Sequence, residues 1–236
     1  RLRFLCIVSS NLDEFFEIRV AGVFDQLRTE AKAKLPGLKN TLARVSEVAH
    51  ALVQHQYNLY TREIIPALKQ ERIEILHHVE RDAPQRAWVR DYFLREVKPL
   101  LTPIGLDPSH PFPQVVNKSL HFIVELSGKD AFGRQSSIAI VKAPRVLPRV
   151  IPLPRDLVGD RDAFVLLSSV IRAHLSEVFS GREVVGYSQF RVTRDSDLWV
   201  DEEDVKNLRQ ALSLELTTRQ FGNAVRLEVA DNDFIT

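Results

Sequence analysis

The spacing of prolines divides this sequence into two parts with different hydrophobic patterns. Four prolines fall within eleven residues, at Pro103, Pro108, Pro111 and Pro113. Proline has a fixed φ and no backbone N–H, so it interrupts long helices and central strands. Helical periodicity dominates before this stretch, and short alternating segments follow it. The sequence therefore predicts an α+β protein, with an N-terminal helical bundle at 1–104 and an α+β head domain at 105–236.

A short polar segment near the start of the chain predicts the beginning of a second helix. Ser9-Ser10-Asn11 interrupts the first apolar stripe, and these residue types favour caps over helix interiors. Asn11 and Glu14 have the spacing of a capping box, and Ser10 with Asp13 is the competing register. Apolar residues then recur at helical period, which predicts that they face the core: Phe16, Val20, Val23, Phe24 and Leu27.

Later helix boundaries are predicted from proline and glycine. Pro36-Gly37 is expected to close the second helix, and a third helix is expected from Thr41 to Ile65, before Pro66. Asp82-Ala83-Pro84 is a start signal for a fourth helix. Its predicted buried side comprises Trp88, Tyr92, Phe93 and Val97.

The second part of the chain reads as alternating strands and helices. Strands are predicted at 119–126, 136–141, 187–193 and 225–229. A hairpin is the natural link between the first two strands, because Gly128 and Gly133 lie between them. Helices are predicted at 164–179 and 201–219.

The composition is that of an ordinary water-soluble globular chain. Basic and acidic residues number 32 and 31, so no whole-chain electrostatic attraction to nucleic acid is expected. No apolar run is long enough for a transmembrane segment. The single cysteine, Cys6, lies in an apolar run and is predicted to be a buried, inert thiol. A single cysteine cannot form an internal disulfide, which fits a reducing, cytoplasmic location.

Most sequence signals for catalysis or metal binding are missing. There is no phosphate-binding loop, no dinucleotide-binding glycine motif and no zinc-ligand spacing. His77-His78 is interpreted as a surface link, because neighbouring side chains of an extended segment point to opposite faces. Asp195-Ser196-Asp197 is interpreted as a turn, and the acidic residues 201–204 as a helix start. We therefore predict no catalytic residue and no metal ligand in this chain.

Asn11 is the one candidate binding residue. Its amide carries both a donor and an acceptor, which suits the edge of a purine base. Phe15 and Arg19 follow at four-residue intervals and so lie on roughly the same side of a helix. From the residues alone, however, a helix cap explains Asn11 better than a ligand does.

The segment RFLCIVSSNLDEFFEIRVAG resembles the N-terminal signature of the bacterial polyphosphate kinase family, the type that synthesises long chains. Further matches follow in order: LTPIGLDPSHPFPQVVNKSLHF at 101–122, the proline-rich text at 147–154, FRVTRDSDL at 190–198 and FGNAVRLEV at 221–229. The resemblance therefore extends over nearly the whole chain.

This resemblance implies an N-terminal part of an enzyme that reversibly moves the terminal phosphate of ATP onto polyphosphate. The phosphohistidine and the Mg²⁺ sites of the family belong to C-terminal domains, so none of the seven histidines here is expected to be catalytic. One family residue carries over, since the asparagine before Leu-Asp-Glu-Phe contributes to the ATP site. That residue is Asn11, with Phe15 and Arg19 as supporting residues.

The resemblance also predicts partners and location. ATP, ADP and polyphosphate are the expected ligands, and a homo-oligomer is the expected assembly. The protein is expected in the cytoplasm, where peripheral association with the inner face of the membrane is compatible with the sequence. The chain alone is predicted to be inactive. The rival interpretation is a stand-alone helical interaction module in which Asn11 is only a cap.

Overall fold

Helices predominate among the described residues of the first hundred. The computed structural model describes residues 1–29, 34–107, 112–113, 115–128, 137–179, 181–195 and 222–230. The α-helices assigned in them are α1 Leu2–Glu14, α2 Ala21–Thr29, α3 Leu35–Leu59, α4 Ile65–Gln70, α5 Ala83–Tyr92, α6 Arg155–Val158, α7 Leu167–Ala173 and α8 Leu175–Val178. Wider π-helical turns occupy Phe15–Val20, Tyr60–Ile64 and Phe93–Val97, and 3₁₀ turns occupy His78–Glu80 and Lys98–Leu100.

The strands of the described residues form two sheets. They are β1 Ile73–Ile75, β2 Pro103–Gly105, β3 Leu120–Ser127, β4 Ile138–Lys142, β5 Val150–Pro152, β6 Asp162–Leu166, β7 Glu183–Arg194 and β8 Ala224–Val229. One sheet has the order β1-β6-β5, and the other has the order β2-β4-β3-β7-β8. β1 and β6 are parallel, whereas β5–β6, β2–β4, β3–β4 and β3–β7 are antiparallel. Helices followed by mixed sheets confirm the predicted α+β class.

The alternating segments of the second part are strands, as predicted. β3 and β4 pair antiparallel with Ile123 opposite Ile140. Phe122, Val124 and Leu126 are buried along β3, with more exposed residues between them, which is the pattern of a strand that presents one face to the core. The predicted strands at 187–193 and 225–229 lie in β7 and β8.

The helix predicted at 164–179 is only partly correct. Its first residues belong to β6, which lies between β1 and β5, and α7 begins at Leu167. Ala163 and Val165 are buried at alternate positions, so burial within the sheet outweighs the helical periodicity of the following residues. The helix predicted at 201–219 and the acidic residues 201–204 lie outside the described residues.

The predicted helix start at Asn11 is wrong. Helix α1 runs through Ser9, Ser10 and Asn11 to Glu14, and the chain stays helical through the π turn into α2. The side chain of Ser9 accepts a hydrogen bond from Gln56 Nε2 at 2.6 Å, so α3 holds the polar segment in helical form. Weak helix propensity costs only a few tenths of a kcal/mol per residue, which tertiary contacts easily outweigh.

The prediction for Cys6 is also wrong, because its thiol is exposed. The side of α1 nearer to α3 is the one that carries Ser9 and the backbone carbonyl of Leu5, which accepts from Gln56 Nε2 at 2.7 Å. An apolar neighbourhood in sequence therefore does not fix which side of a helix is buried.

Two prolines have roles different from those predicted. Pro36 does not close a helix, because α3 begins at Leu35 and Pro36 lies in its first turn, where a missing N–H costs nothing. The helix also continues beyond the predicted end at Ile65, through α4 to Gln70. A π turn at Tyr60–Ile64 ends two residues before Pro66, and such a turn locally rearranges the hydrogen bonds that proline would otherwise disrupt.

The predicted start of the fourth helix is confirmed. Asp82 caps α5, its Oδ1 accepting from the Gln85 N–H at 2.9 Å, and Gln85 Oε1 accepts in return from the Asp82 N–H at 3.1 Å. Phe93 and Val97, both predicted to be buried, are fully buried. The preceding His77-His78 is extended only at His77, since a 3₁₀ turn begins at His78.

The described chain groups into two compact units. The first combines Arg1–Ile64, Val115–Lys118 and Val192–Glu228, and its core contains Phe16, Val20 and Ala49. The second combines Ile65–Gln114, Ser119–Arg191 and Val229–Thr236. Its larger core includes Val89, Phe93, Phe122, Val141, Val165, Leu167 and Ile171. Both units draw on distant parts of the sequence, and the boundary predicted between 104 and 105 stays a prediction.

A close backbone contact in the first unit leads to a stability prediction. A Cβ placed on Gly222 would overlap the carbonyl oxygen of Asp195 and lie 3.3 Å from its carbon. We expect Gly222→Ala to lower the free energy of unfolding by roughly 1–3 kcal/mol, measured by urea denaturation.

Gly22→Ala is the matched control. Gly22 lies in α2, and a Cβ there would meet nothing within 4 Å. Alanine should therefore stabilise the helix by up to about 1 kcal/mol. Equal stability of the two variants would contradict the close approach of residues 195 and 222.

Candidate functional site

The signature segment 3–22 is held by α3 on one side. Gln56 donates from Nε2 to the Leu5 carbonyl oxygen at 2.7 Å and to Ser9 Oγ at 2.6 Å. Phe16 and Val20 are buried, and Ala49 of α3 belongs to the same core cluster. Apolar burial and two directed hydrogen bonds together fix how this helix lies against α3.

Arg226 of β8 provides a second attachment. Its guanidinium carbon lies 4.7 Å from the centre of the Phe16 ring, and its Nη1 lies 3.8 Å from Asp13 Oδ1. The Arg226 Nη2 also pairs with Glu228 Oε1 at 3.0 Å. The Arg226 and Asp13 side chains are largely shielded from water, so this pair is screened less than an exposed ion pair would be.

Glu17 provides the third attachment, to the segment at 115–118. Its carboxylate pairs with the Lys118 ammonium, and its Oε1 accepts from Asn117 Nδ2 at 3.0 Å. Asn117 Oδ1 in turn accepts from the Arg194 N–H at 2.9 Å. Two acidic residues of the signature, Asp13 and Glu17, thus help to hold the helix in place.

The opposite side of the same helix is exposed. Asn11, Phe15 and Arg19 are all solvent-exposed. Among the described residues, none hydrogen-bonds to the side chain of Asn11 or forms an ion pair with Arg19. Phe15 is 40% exposed and contacts Phe16 edge-on, with ring centroids 5.8 Å apart. These three side chains present an amide, an aromatic face and a cation.

The structure removes the cap interpretation of Asn11. The residue lies inside α1, far from the N-cap position at Arg1, and its side chain satisfies no backbone N–H. Asparagine in a helix interior is less favourable than alanine by several tenths of a kcal/mol. Helix formation therefore gives no reason for an asparagine at this position.

Sequence reasoning missed the apolar character of the exposed side. Phe4 is 72% exposed, and Ile7 and Ile18 are also exposed. Together with Asn11 and Phe15 they follow a spacing of three and four residues, which places them along one stripe of a helix. This spacing was readable in the sequence, but a stripe of this kind would ordinarily be assigned to the core.

The described residues contain no group of three or more His, Cys, Asp or Glu side chains placed to hold a metal ion. Within the same residues, every helix is too short or too polar to cross a membrane. Of Asp195-Ser196-Asp197, only Asp195 is described, and its N–H donates to the Asn223 carbonyl at 2.9 Å. The chemistry available at the exposed side of α1 is therefore recognition through hydrogen bonds, stacking and charge.

Comparison with known proteins gives consistent matches over the chain. The polyphosphate kinase N-terminal domain matches residues 1–76, and the polyphosphate kinase middle domain matches residues 84–233. A polyphosphate kinase of Neisseria meningitidis serogroup A is 54% identical over 234 residues, covering 98% of this chain and 34% of the relative. One of Pseudomonas aeruginosa is 51% identical over 234 residues, with the same coverage.

A solved structure agrees with these sequence matches. The crystal structure of polyphosphate kinase from Porphyromonas gingivalis superposes with a TM-score of 0.67 at 28% identity, covering 94% of this chain and 33% of that one. The chain thus spans about a third of the length of the curated relatives it matches. Both family domains are matched in order and over most of the sequence, and the chain belongs to the polyphosphate kinase family.

Proposed function

We propose that this chain is the nucleotide-contacting N-terminal part of an enzyme that transfers the terminal phosphate of ATP reversibly to polyphosphate. The observation that supports the proposal is that the two sides of one helix make different contacts. Asp13, Phe16 and Glu17 hold the helix in place, whereas Asn11 lies on the exposed side with no structural role for its amide. The names of the relatives supply the reaction.

In this proposal Asn11 reads the edge of the adenine base. Its amide donates to a ring nitrogen and accepts from the exocyclic amine, a pairing that suits adenine geometrically. The exposed face of Phe15 is available for stacking on the base. Arg19 contributes positive charge, which favours a polyanionic nucleotide.

The remaining chemistry belongs to parts of the enzyme outside this chain. The phosphohistidine and the Mg²⁺ ions, which would neutralise phosphate charge, are assigned to those parts, as the family resemblance implies. The proposal includes ATP, ADP and polyphosphate as ligands, a homo-oligomer as the assembly, and a cytoplasmic location. We derive no catalytic step for residues of this chain.

The first functional prediction is that the 236-residue chain alone makes no polyphosphate. Incubation with ATP and Mg²⁺ should yield no acid-insoluble phosphate polymer, because the chain spans about a third of its relatives and its described part carries no metal-binding cluster. The full-length enzyme under the same conditions is the positive control. Polymer formed by the chain alone would show that catalytic groups lie within it.

The second functional prediction concerns Asn11→Ala in the full-length enzyme. Alanine removes the amide but favours the helix, so thermal stability should stay equal or rise slightly. The apparent affinity for ATP should fall about ten-fold or more, since lost base-edge hydrogen bonds are worth roughly 1–3 kcal/mol. The measurement is the ATP dependence of polyphosphate synthesis together with a thermal melt.

Two further variants sharpen this test. Ser10→Ala is the matched control, because Ser10 is the exposed neighbour of Asn11 in α1 and should leave the ATP dependence unchanged. Asn11→Asp should weaken ATP use as alanine does, since an ionised carboxylate cannot donate and repels phosphate. An unchanged ATP dependence in both Asn11 variants would show that Asn11 does not contact the nucleotide.

The rival function is a helical interaction surface without a nucleotide site. The exposed apolar side chains Phe4, Ile7 and Ile18 favour this alternative, because apolar groups gathered on one side of a helix often mark a contact with another protein segment. The two functions separate experimentally. Phe4→Ser would weaken contact with a protein segment, whereas Asn11→Ala would primarily change nucleotide affinity.

A further inference from the structure

The second unit contains a buried arginine whose hydrogen bonds are incomplete. Arg81 is only 2% exposed. Its Nη2 donates to Ser169 Oγ at 2.6 Å and to the Leu76 carbonyl oxygen at 3.3 Å. Its Nε and Nη1 have no hydrogen-bond partner among the described residues. A buried cation with unused donors is costly, so this arrangement points to a missing acceptor.

No carboxylate of the described residues supplies that acceptor. The negative charge of Glu80 favours the charged form of Arg81, but Glu80 is exposed. Its Oε2 accepts a hydrogen bond from the His77 N–H at 2.7 Å. Burial, followed by the charge of Arg172, lowers the pKa of Arg81 to about 10. The charged form of Arg81 is therefore poorly compensated in this unit.

Further basic groups of the same unit act electrostatically on Arg81 and His78. Arg172 follows Ser169 by three residues on α7 and so lies on the same side of that helix. His78 precedes Arg81 by three residues and has an Nδ1 atom with no partner in the described part of the chain. Burial lowers the pKa of His78, and the charges of Arg81, His174, Arg172 and Arg86 act in the same direction. Arg86 is exposed, and its Nη1 donates to the Arg81 carbonyl oxygen.

We propose that Arg81, Arg172 and His78 form a binding site for a phosphoryl oxyanion in the second unit. A guanidinium presents parallel N–H donors that match two oxygens of a phosphate, and an oxyanion would supply both the acceptors and the negative charge that Arg81 lacks. A water molecule in the same place would supply hydrogen-bond acceptors but no negative charge. His78 and Arg172 are partly exposed, whereas the unpartnered nitrogens of Arg81 and His78 are buried. This site does not depend on the proposed contact between Asn11 and ATP.

Two candidate ligands of this site are distinguished by titrating each one separately. One is free inorganic phosphate, and the other is a phosphoryl group within a polyphosphate chain. Each is titrated into the 236-residue chain by calorimetry at constant ionic strength, with chloride as the reference anion. Saturable binding of inorganic phosphate supports a site for the free ion, and saturable binding of polyphosphate alone supports a site that reads the polymer.

The variants decide whether Arg81 and its neighbours form the site. Arg81→Met keeps the length of the side chain without its charge, and Arg172→Gln leaves Arg81 itself unchanged. Each should weaken binding about ten-fold or more. The control is Arg95→Gln, which also removes one positive charge, from an exposed residue paired with Asp91 at 2.8 Å. It should change the affinity less than about two-fold, as expected of an exposed ion pair.

If Arg81→Met does not fold, as judged by circular dichroism, Arg172→Gln decides alone. Absence of saturable binding by both anions would overturn the proposal. So would an equal loss of affinity in Arg95→Gln, because binding would then follow net charge alone. A failure here would leave the ATP dependence of the Asn11 variants untouched, so the two proposals fail separately.

Discussion

The guanidinium of Arg226 lies over the ring of Phe16 and beside the carboxylate of Asp13, and the position of the first helix depends on contacts of this kind. Lys118 and Asn117 bind Glu17 one turn further along the helix. These partners come from segments about one hundred and two hundred residues away in sequence. The first helix is therefore fixed by long-range polar contacts as well as by a small apolar core of Phe16, Val20 and Ala49. A cation over an aromatic ring and a shielded ion pair each contribute on the order of 1 kcal/mol, so no single contact suffices.

This attachment gives the helix one side with structural contacts and one exposed side. Asp13, Phe16 and Glu17 pack or form ion pairs on one side of the helix. Asn11, Phe15 and Arg19 on the other side make no such contacts with distant segments in the described part of the chain. Asn11 is then unfavourable for the helix and useless as a cap. A residue that conflicts with its local structure without an evident structural compensation is a reasonable place to look for function.

The parts of the fold that were predictable depend on short-range rules. Asp82 and Gln85 cap α5 within three residues of each other, and the β3–β4 pair follows from alternating apolar residues beside glycines. Asn11 was misjudged because its helix is continued by Gln56 and Arg226, which no local pattern reveals. Arg81 gave no signal at all, since an arginine beside a helix start is ordinarily exposed. Sequence identifies the candidate side chains of α1, but burial of a charge is decided by the packing of distant elements.

The π turn at Phe15–Val20 adds a geometric reason why Asn11, Phe15 and Arg19 belong together. An α-helical turn holds 3.6 residues, so Phe15 is rotated by about 40° from the line of Asn11. In an unbroken α-helix the next four residues would add the same rotation, which would carry Arg19 away from that line. The hydrogen bonds of a π turn span five residues and make the turn wider, so four residues fall short of a full turn and rotate Arg19 back. The amide and the guanidinium are thereby brought towards one line, with the aromatic ring beside them. In the proposed site, the amide would meet the base edge, the ring would stack on the base, and the guanidinium would lie towards the phosphates.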